Sequence, residues 1–271
     1  MTNKLEIISR NNVRVSGDGD RTIIFVHGFG CDQMMWRYVA PAFAKEYQTV
    51  VFDLVGSGKS DLRAFDLERY SNLNGYARDI SEIVGALDLW NVVLVGHSVS
   101  AILGAIAAID EPKRFSHLIM VAPSPRYIND LPDYFGGFER EDIDEMFDLM
   151  DKNYMGWASF LAPVIMKNED EPELAAELEA SFCSTDPITA RTFANATFYG
   201  DNRQQLTKVP IPCLVMQCAD DSIAPDEVGE YVHQHLPQST LVKMNATGHC
   251  PHLSHPQETI ALIRNYLNGK E

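Results

Sequence analysis

The sequence predicts an α/β fold, a mostly parallel sheet with helices on both faces. Three observations carry that reading. Short apolar, β-branched runs alternate with amphipathic stretches, the pattern of repeated strand–helix–strand units. Glycine-bearing turns follow two of the early runs, at 27–30 and 54–58. A buried-type strand at 92–95 leads through a tight turn into a helix at 101–109.

In chain order, residues 22–26 read as a strand, 35–46 as a helix and 49–53 as the next strand. Apolar residues at helical spacing over 76–87 then lead into the strand at 92–95. After the helix at 101–109 come strands at 117–122, 212–217 and 240–244, with a helix at 226–235 between the last two. Residues 260–267 close the chain as a helix. The alternation stops from 124 to 205, where four helices are expected, at 140–152, 154–165, 172–183 and 187–198. The expected organisation is therefore a core of residues 1–123 and 206–271 with a helical lid, 124–205, inserted over the sheet's C-terminal edge. Ligands of open α/β sheets bind at that edge.

Composition narrows the function. The formal charge of −16 argues against nucleic acid or an anionic membrane surface as partner. Residues 124–205 hold 17 Asp and Glu against 6 Lys and Arg, so most of the excess charge falls on the solvated face of the insertion. No apolar run approaches the ~20 residues of a membrane span, and the N-terminus lacks the layout of a signal peptide. Five cysteines, odd in number and without a CxxC pair, read as reduced thiols of a cytoplasmic protein. Pro251 and Pro256 interrupt the spacing of Cys250, His252 and His255, so no metal or other cofactor is expected.

The chemistry centres on Ser98, in Gly96-His97-Ser98-Val99-Ser100 at the strand-to-helix turn. A nucleophile elbow needs small residues two positions either side of its serine. Gly96 meets that need, while Ser100 departs from the strict glycine and is still small. A serine hydroxyl is a weak nucleophile without a base to take its proton and an acid to orient that base. The chain offers both in the order Ser, Asp, His, each beyond a later strand. Asp220-Asp221 follows the strand at 212–217, and Asp221 is favoured as the acid; His249 follows the last strand and is the base. The N–H groups of Phe29 and Val99 are the expected oxyanion donors.

With these residues in view, the chain resembles the RsbQ-like branch of the α/β-hydrolase fold, which includes bacterial RsbQ and the plant strigolactone and karrikin receptors. The likeness rests on His27-Gly28-Phe29-Gly30-Cys31-Asp32-Gln33, Phe52-Asp53-Leu54-Val55-Gly56-Ser57-Gly58, Gly96-His97-Ser98-Val99-Ser100-Ala101, Tyr134-Phe135-Gly136-Gly137-Phe138-Glu139 and Gly248-His249-Cys250-Pro251-His252. The resemblance implies an eight-stranded sheet, a four-helix lid and a triad of Ser98, Asp221 and His249. It implies a pocket lined by Phe29, His97, Phe138, Trp157, Phe160, Phe193 and Phe198. The expected ligand is small, largely apolar and carbonyl-bearing, a butenolide lactone or short ester, cleaved without a cofactor. A bacterial stress-signalling role with a phosphatase partner follows from the same likeness. The alternative is a receptor that binds or slowly turns over its ligand and signals through a protein.

Overall fold

The computed structural model describes residues 3–269. Seven strands, β1 (Arg14–Ser16), β2 (Arg21–Val26), β3 (Tyr47–Phe52), β4 (Val92–His97), β5 (Phe115–Val121), β6 (Cys213–Ala219) and β7 (Ser239–Thr247), form one sheet in the order β1-β3-β2-β4-β5-β6-β7. Only β1 runs antiparallel, against β3. The helices are α1 (Lys4–Arg10), α2 (Leu73–Ala86), α3 (Val99–Asp110), α4 (Arg140–Lys152), α5 (Tyr154–Met166), α6 (Pro172–Ser184), α7 (Pro187–Phe198), α8 (Arg203–Leu206), α9 (Asp226–His235), α10 (Pro251–Ser254) and α11 (Pro256–Leu267). None is long and apolar enough to cross a membrane.

The sheet has seven strands among the described residues, not the eight expected. Ahead of β1 the chain forms α1 instead of an outer strand. Asn3 accepts from the N–H of Leu5, and the Glu6 carboxylate accepts in return from the N–H of Asn3, a capping box that fixes a helix start. Ile7 is the one residue of α1 buried in the core, so its surface suits a partly docked helix rather than a strand. A second difference falls at 35–46, where two short 3-10 turns, Gln33–Trp36 and Ala40–Phe43, replace the expected helix. Pro41 has no N–H to give an α-helical ladder, which breaks the segment.

The central strands are those whose composition is most apolar. All six residues of β4 are buried, and so are Val99–Ala108 of α3, which packs beside it. A strand buried on both faces must be apolar throughout, and this one is, up to His97. One apolar cluster, with Ile24, Leu94, Leu118 and Val215, packs with α2 and α3, and a second, with Phe25, Val95, Ile119 and Met216, packs against α11. The helices α4 to α7, between β5 and β6, form a third cluster of their own with Cys31, Met35 and Cys250. Their acidic residues point outward: Glu141, Asp142, Asp144, Glu145 and Asp148 of α4 are all exposed.

Candidate active site

The ends of β4, β6 and β7 face one place. Ser98 follows β4 and caps α3 with φ +56° and ψ −126°, a conformation costly for any residue with a side chain. Glycine at 96 is what permits the turn, since a Cβ there would lie 2.3 Å from the carbonyl oxygen of Ser100. The departure at Ser100 has its own use. Its hydroxyl donates to the carbonyl of His27, pinning the elbow helix to the loop after β2.

Ser98 Oγ lies 2.8 Å from His249 Nε2, and His249 Nδ1 lies 2.8 Å from Asp221 Oδ2. All three residues are buried. The other oxygen of Asp221 accepts from the N–H groups of Ile223 (2.8 Å) and Ala224 (3.0 Å), which holds the carboxylate as an acceptor toward the imidazole. Asp220 takes no part; it is exposed and pairs with Lys167 at 2.9 Å. Of the expected oxyanion donors, Val99 directly follows the serine and Phe29 lines the same cavity as Ser98. Val99 is the first residue of α3, whose N–H an α-helix leaves without an internal partner. Phe29 follows β2 in the turn whose Gly28 packs close to His97 and Ser98.

Buried histidines hold this frame in neutral form. The Nδ1–H of His27 donates to the carbonyl of Gly28 (2.9 Å) and its Nε2 accepts from the N–H of Leu54 (3.0 Å), joining the turns after β2 and β3. His97 Nε2–H donates to the carbonyl of His249 (2.7 Å). Burial lowers the pKa of both, with the neighbouring His252 and His249 adding to the effect at His97. The backbone N–H of His249 donates to the carbonyl of Ile165 at the end of α5, 2.9 Å away. Gly248 makes that approach possible: its φ is +77°, and a Cβ would lie 2.3 Å from the carbonyl oxygen of Met166.

Sequence and structural comparisons identify the family. The profile of the alpha/beta hydrolase family matches residues 23–262. The chain belongs to the alpha/beta hydrolase family. Among curated relatives of this hydrolase, a probable esterase of Oryza sativa subsp. japonica is 39% identical over 259 residues, covering 95% of each chain. A strigolactone esterase of Arabidopsis thaliana is 38% identical, covering 96% of this chain and 97% of its own. Among solved structures, a hydrolase from Oleispira antarctica superposes with a TM-score of 0.96 at 47% identity, covering 98% of both chains.

The cavity at the hydrolase's serine is narrow, ≈ 30 Å³, or about two water molecules by the usual allowance per site. Phe29, Tyr127, Leu178, Phe182, Phe198 and Ile223 make most of its wall, with His97, Thr197, Cys31 and Cys250. Of the residues expected around a pocket, Phe29, His97 and Phe198 face it, with the two phenyl rings 5.6 Å apart. The others do not line this cavity. Phe193 stands on the far side of Phe29, against Gly56 and Thr189. Phe138, Trp157 and Phe160 line a separate outer cleft of ≈ 600 Å³ between α4 and α5. Phe160 is 66% exposed, because the buried stripe of α5 runs through Trp157, Leu161 and Ile165 and leaves position 160 on the opposite side.

The sequence reading did not include Tyr127, whose hydroxyl lies 3.3 Å from Ser98 Oγ. Burial pushes its phenol pKa upward, so the group stays protonated and available as a donor. Cys31 and Cys250 are also held as thiols by burial. Leu178 and Phe182 carried a signal in their i, i+4 spacing on α6. Phe182 fixes the need for Gly30, which has φ +68° and where a Cβ would fall 1.9 Å from the Phe182 ring. Gly30→Ala is expected to destabilise the fold by about 2–5 kcal/mol, the sum of a left-handed backbone penalty and overpacking. Urea unfolding checks this, and adding Phe182→Leu should recover the overpacking part alone.

Proposed function

We propose that this chain is a serine hydrolase that cleaves small, largely apolar esters or lactones, butenolides among them, through an acyl-enzyme on Ser98. The observation that carries the reading is the unbroken hydrogen-bond chain from Ser98 through His249 to Asp221. His249 Nε2 takes the serine proton as Oγ attacks the carbonyl carbon. The oxyanion that forms is met by the N–H groups of Phe29 and Val99, which cost no reorganisation at that moment. His249 then returns the proton to the leaving alkoxide. Water then gives a proton to the same imidazole as its oxygen attacks the acyl carbon, and that proton passes to Ser98 Oγ as the acyl–Ser98 bond breaks. A lactone differs only in that its alcohol stays tethered to the acyl group.

Residues 124–205 serve as the lid of this site in the proposal. The narrow cavity admits a substrate only as these helices shift, which favours small ligands. The intact protein, exposed briefly to p-nitrophenyl acetate or a butenolide and weighed by mass spectrometry, is expected to carry an adduct on Ser98 or His249. Ser98→Ala should show neither adduct nor hydrolysis; undiminished hydrolysis by that variant would refute the reading.

A second reading is supported by relatives named as karrikin insensitive 2 receptors, one from Petunia hybrida being 37% identical over 259 residues. In it, ligand turnover shifts the lid and signals to a protein partner. The resemblance to bacterial RsbQ makes that partner a phosphatase in a stress response, and free thiols at all five cysteines suit a cytoplasmic setting. A ligand-dependent complex on size exclusion with the purified phosphatase is expected; no complex with or without ligand would remove this reading.

A further inference from the structure

One residue on the wall of the serine cavity, Thr197, carries a buried hydroxyl without a hydrogen-bond partner among the described residues. Thr197 stands in the last turn of α7, 3% exposed, and lines the cavity with Ser98 and Tyr127. A threonine inside a helix ordinarily turns its hydroxyl back to the carbonyl one turn earlier. Thr192 of the same helix does so, donating to the Ile188 carbonyl at 2.8 Å, and Thr189 donates to that of Asp186 at 2.9 Å. The Thr197 hydroxyl finds no partner among the described residues.

A buried hydroxyl without a partner is unfavourable, and valine fills the same volume without that penalty. The rest of the cavity gives the hydroxyl nothing to bond. Ser98, His249 and Tyr127 are already joined to one another. The other unpartnered polar atom on this wall, His97 Nδ1, is covered by the backbone of Gly28, where a Cβ would lie 2.6 Å from it. Among the described residues, the Thr197 hydroxyl is therefore the uncovered side-chain oxygen or nitrogen of this wall that has no partner.

We infer that Thr197 is a specificity-determining residue whose hydroxyl donates to a second oxygen of the substrate, apart from the carbonyl under attack. The substrate class is then a small oxygenated ester or lactone, with an ether or ring oxygen a few bonds from the reacting carbon, preferred over the hydrocarbon ester of equal size. This inference rests on the serine-hydrolase reading for its place in the reaction. It does not rest on it for the binding itself.

The test uses matched pairs in which an ether oxygen replaces one methylene: p-nitrophenyl methoxyacetate with butyrate, and 3-methoxypropionate with pentanoate. Taking the wild-type to variant quotient of each kcat/KM ratio cancels the intrinsic reactivity of the esters. Thr197→Val is expected to lower the ether preference about three- to tenfold in at least one pair, and Thr197→Ser to retain it. The melting temperature of Thr197→Val should equal or exceed that of wild type, because no internal bond is lost.

A second arm measures binding of the corresponding methyl esters by calorimetry in Ser98→Ala, with and without Thr197→Val, and expects the same change in ratio. Hydrolysis of no ester by wild type would refute the hydrolase reading, leaving the binding arm to decide on Thr197. Unchanged ratios in both pairs and both arms would overturn the inference. So would a clear fall in the melting temperature of Thr197→Val, which would assign the hydroxyl a structural role.

Discussion

Asp221→Asn is expected to lower kcat by about 10³–10⁴ while leaving KM within a few-fold. The geometry says why the neutral isostere fails. Oδ1 of Asp221 accepts from two backbone N–H groups, those of Ile223 and Ala224, and asparagine keeps those bonds only by turning its own oxygen toward them. Its amide nitrogen then faces His249 Nδ1, where the carboxylate oxygen stood 2.8 Å away. Two donors cannot share that contact, so Nδ1 gives up its proton and Nε2 carries it instead. An Nε2 that already bears hydrogen cannot take the proton of Ser98. Steady-state kinetics on a p-nitrophenyl ester checks the size of the loss, and activity close to wild type would show that Asp221 does not set the tautomer.

His252 predicts a large effect of pH on stability. It is fully buried, with its ring 4.5 Å from that of Trp36 and 4.4 Å from that of His97, and neither ring nitrogen has a partner among the described residues. Desolvation, with smaller contributions from His249, Arg37 and His27, pushes its pKa down to about 3. The unfolded chain binds this proton below about pH 6.5, and the folded one does not until pH falls near 3. The unfolded state therefore binds more protons across that window, and stability falls as pH falls through it. The loss approaches about 1.4 kcal/mol per pH unit for this one group, or about 2 kcal/mol by pH 5. His27 and His97 are shifted in the same direction and steepen the decline. Urea unfolding of His252→Leu between pH 7.5 and 5 should show a slope smaller by about one proton; a slope parallel to wild type would contradict the assignment.

The parts of this molecule legible in the sequence are those where one residue type answers one physical demand. The strand at 92–97 is apolar because it is covered on both faces, and the four helices from 140 to 198 appear at nearly their expected bounds because their apolar periodicity is strong. The contact among Ser98, His249 and Asp221 was foreshadowed by three loop positions after three strands. The helix at Lys4–Arg10 was not foreseen, since its evidence is a cap between Asn3 and Glu6 rather than a hydrophobic pattern. The cavity wall was the least legible part. Periodicity says that Trp157 and Phe193 are buried, but which side of Phe29 they reach depends on how α5 and α7 lie across the sheet. Thr197 and Tyr127 gave no local sign, for their meaning comes only from sharing a wall with Ser98.

The bond from the His249 amide to the last turn of α5 makes the base and its cover one mechanical joint. In the proposed lid, an outward movement of α5 would either break that bond or draw the imidazole off its alcohol. Opening the proposed lid would therefore cost either this bond or the alignment of the base with the serine.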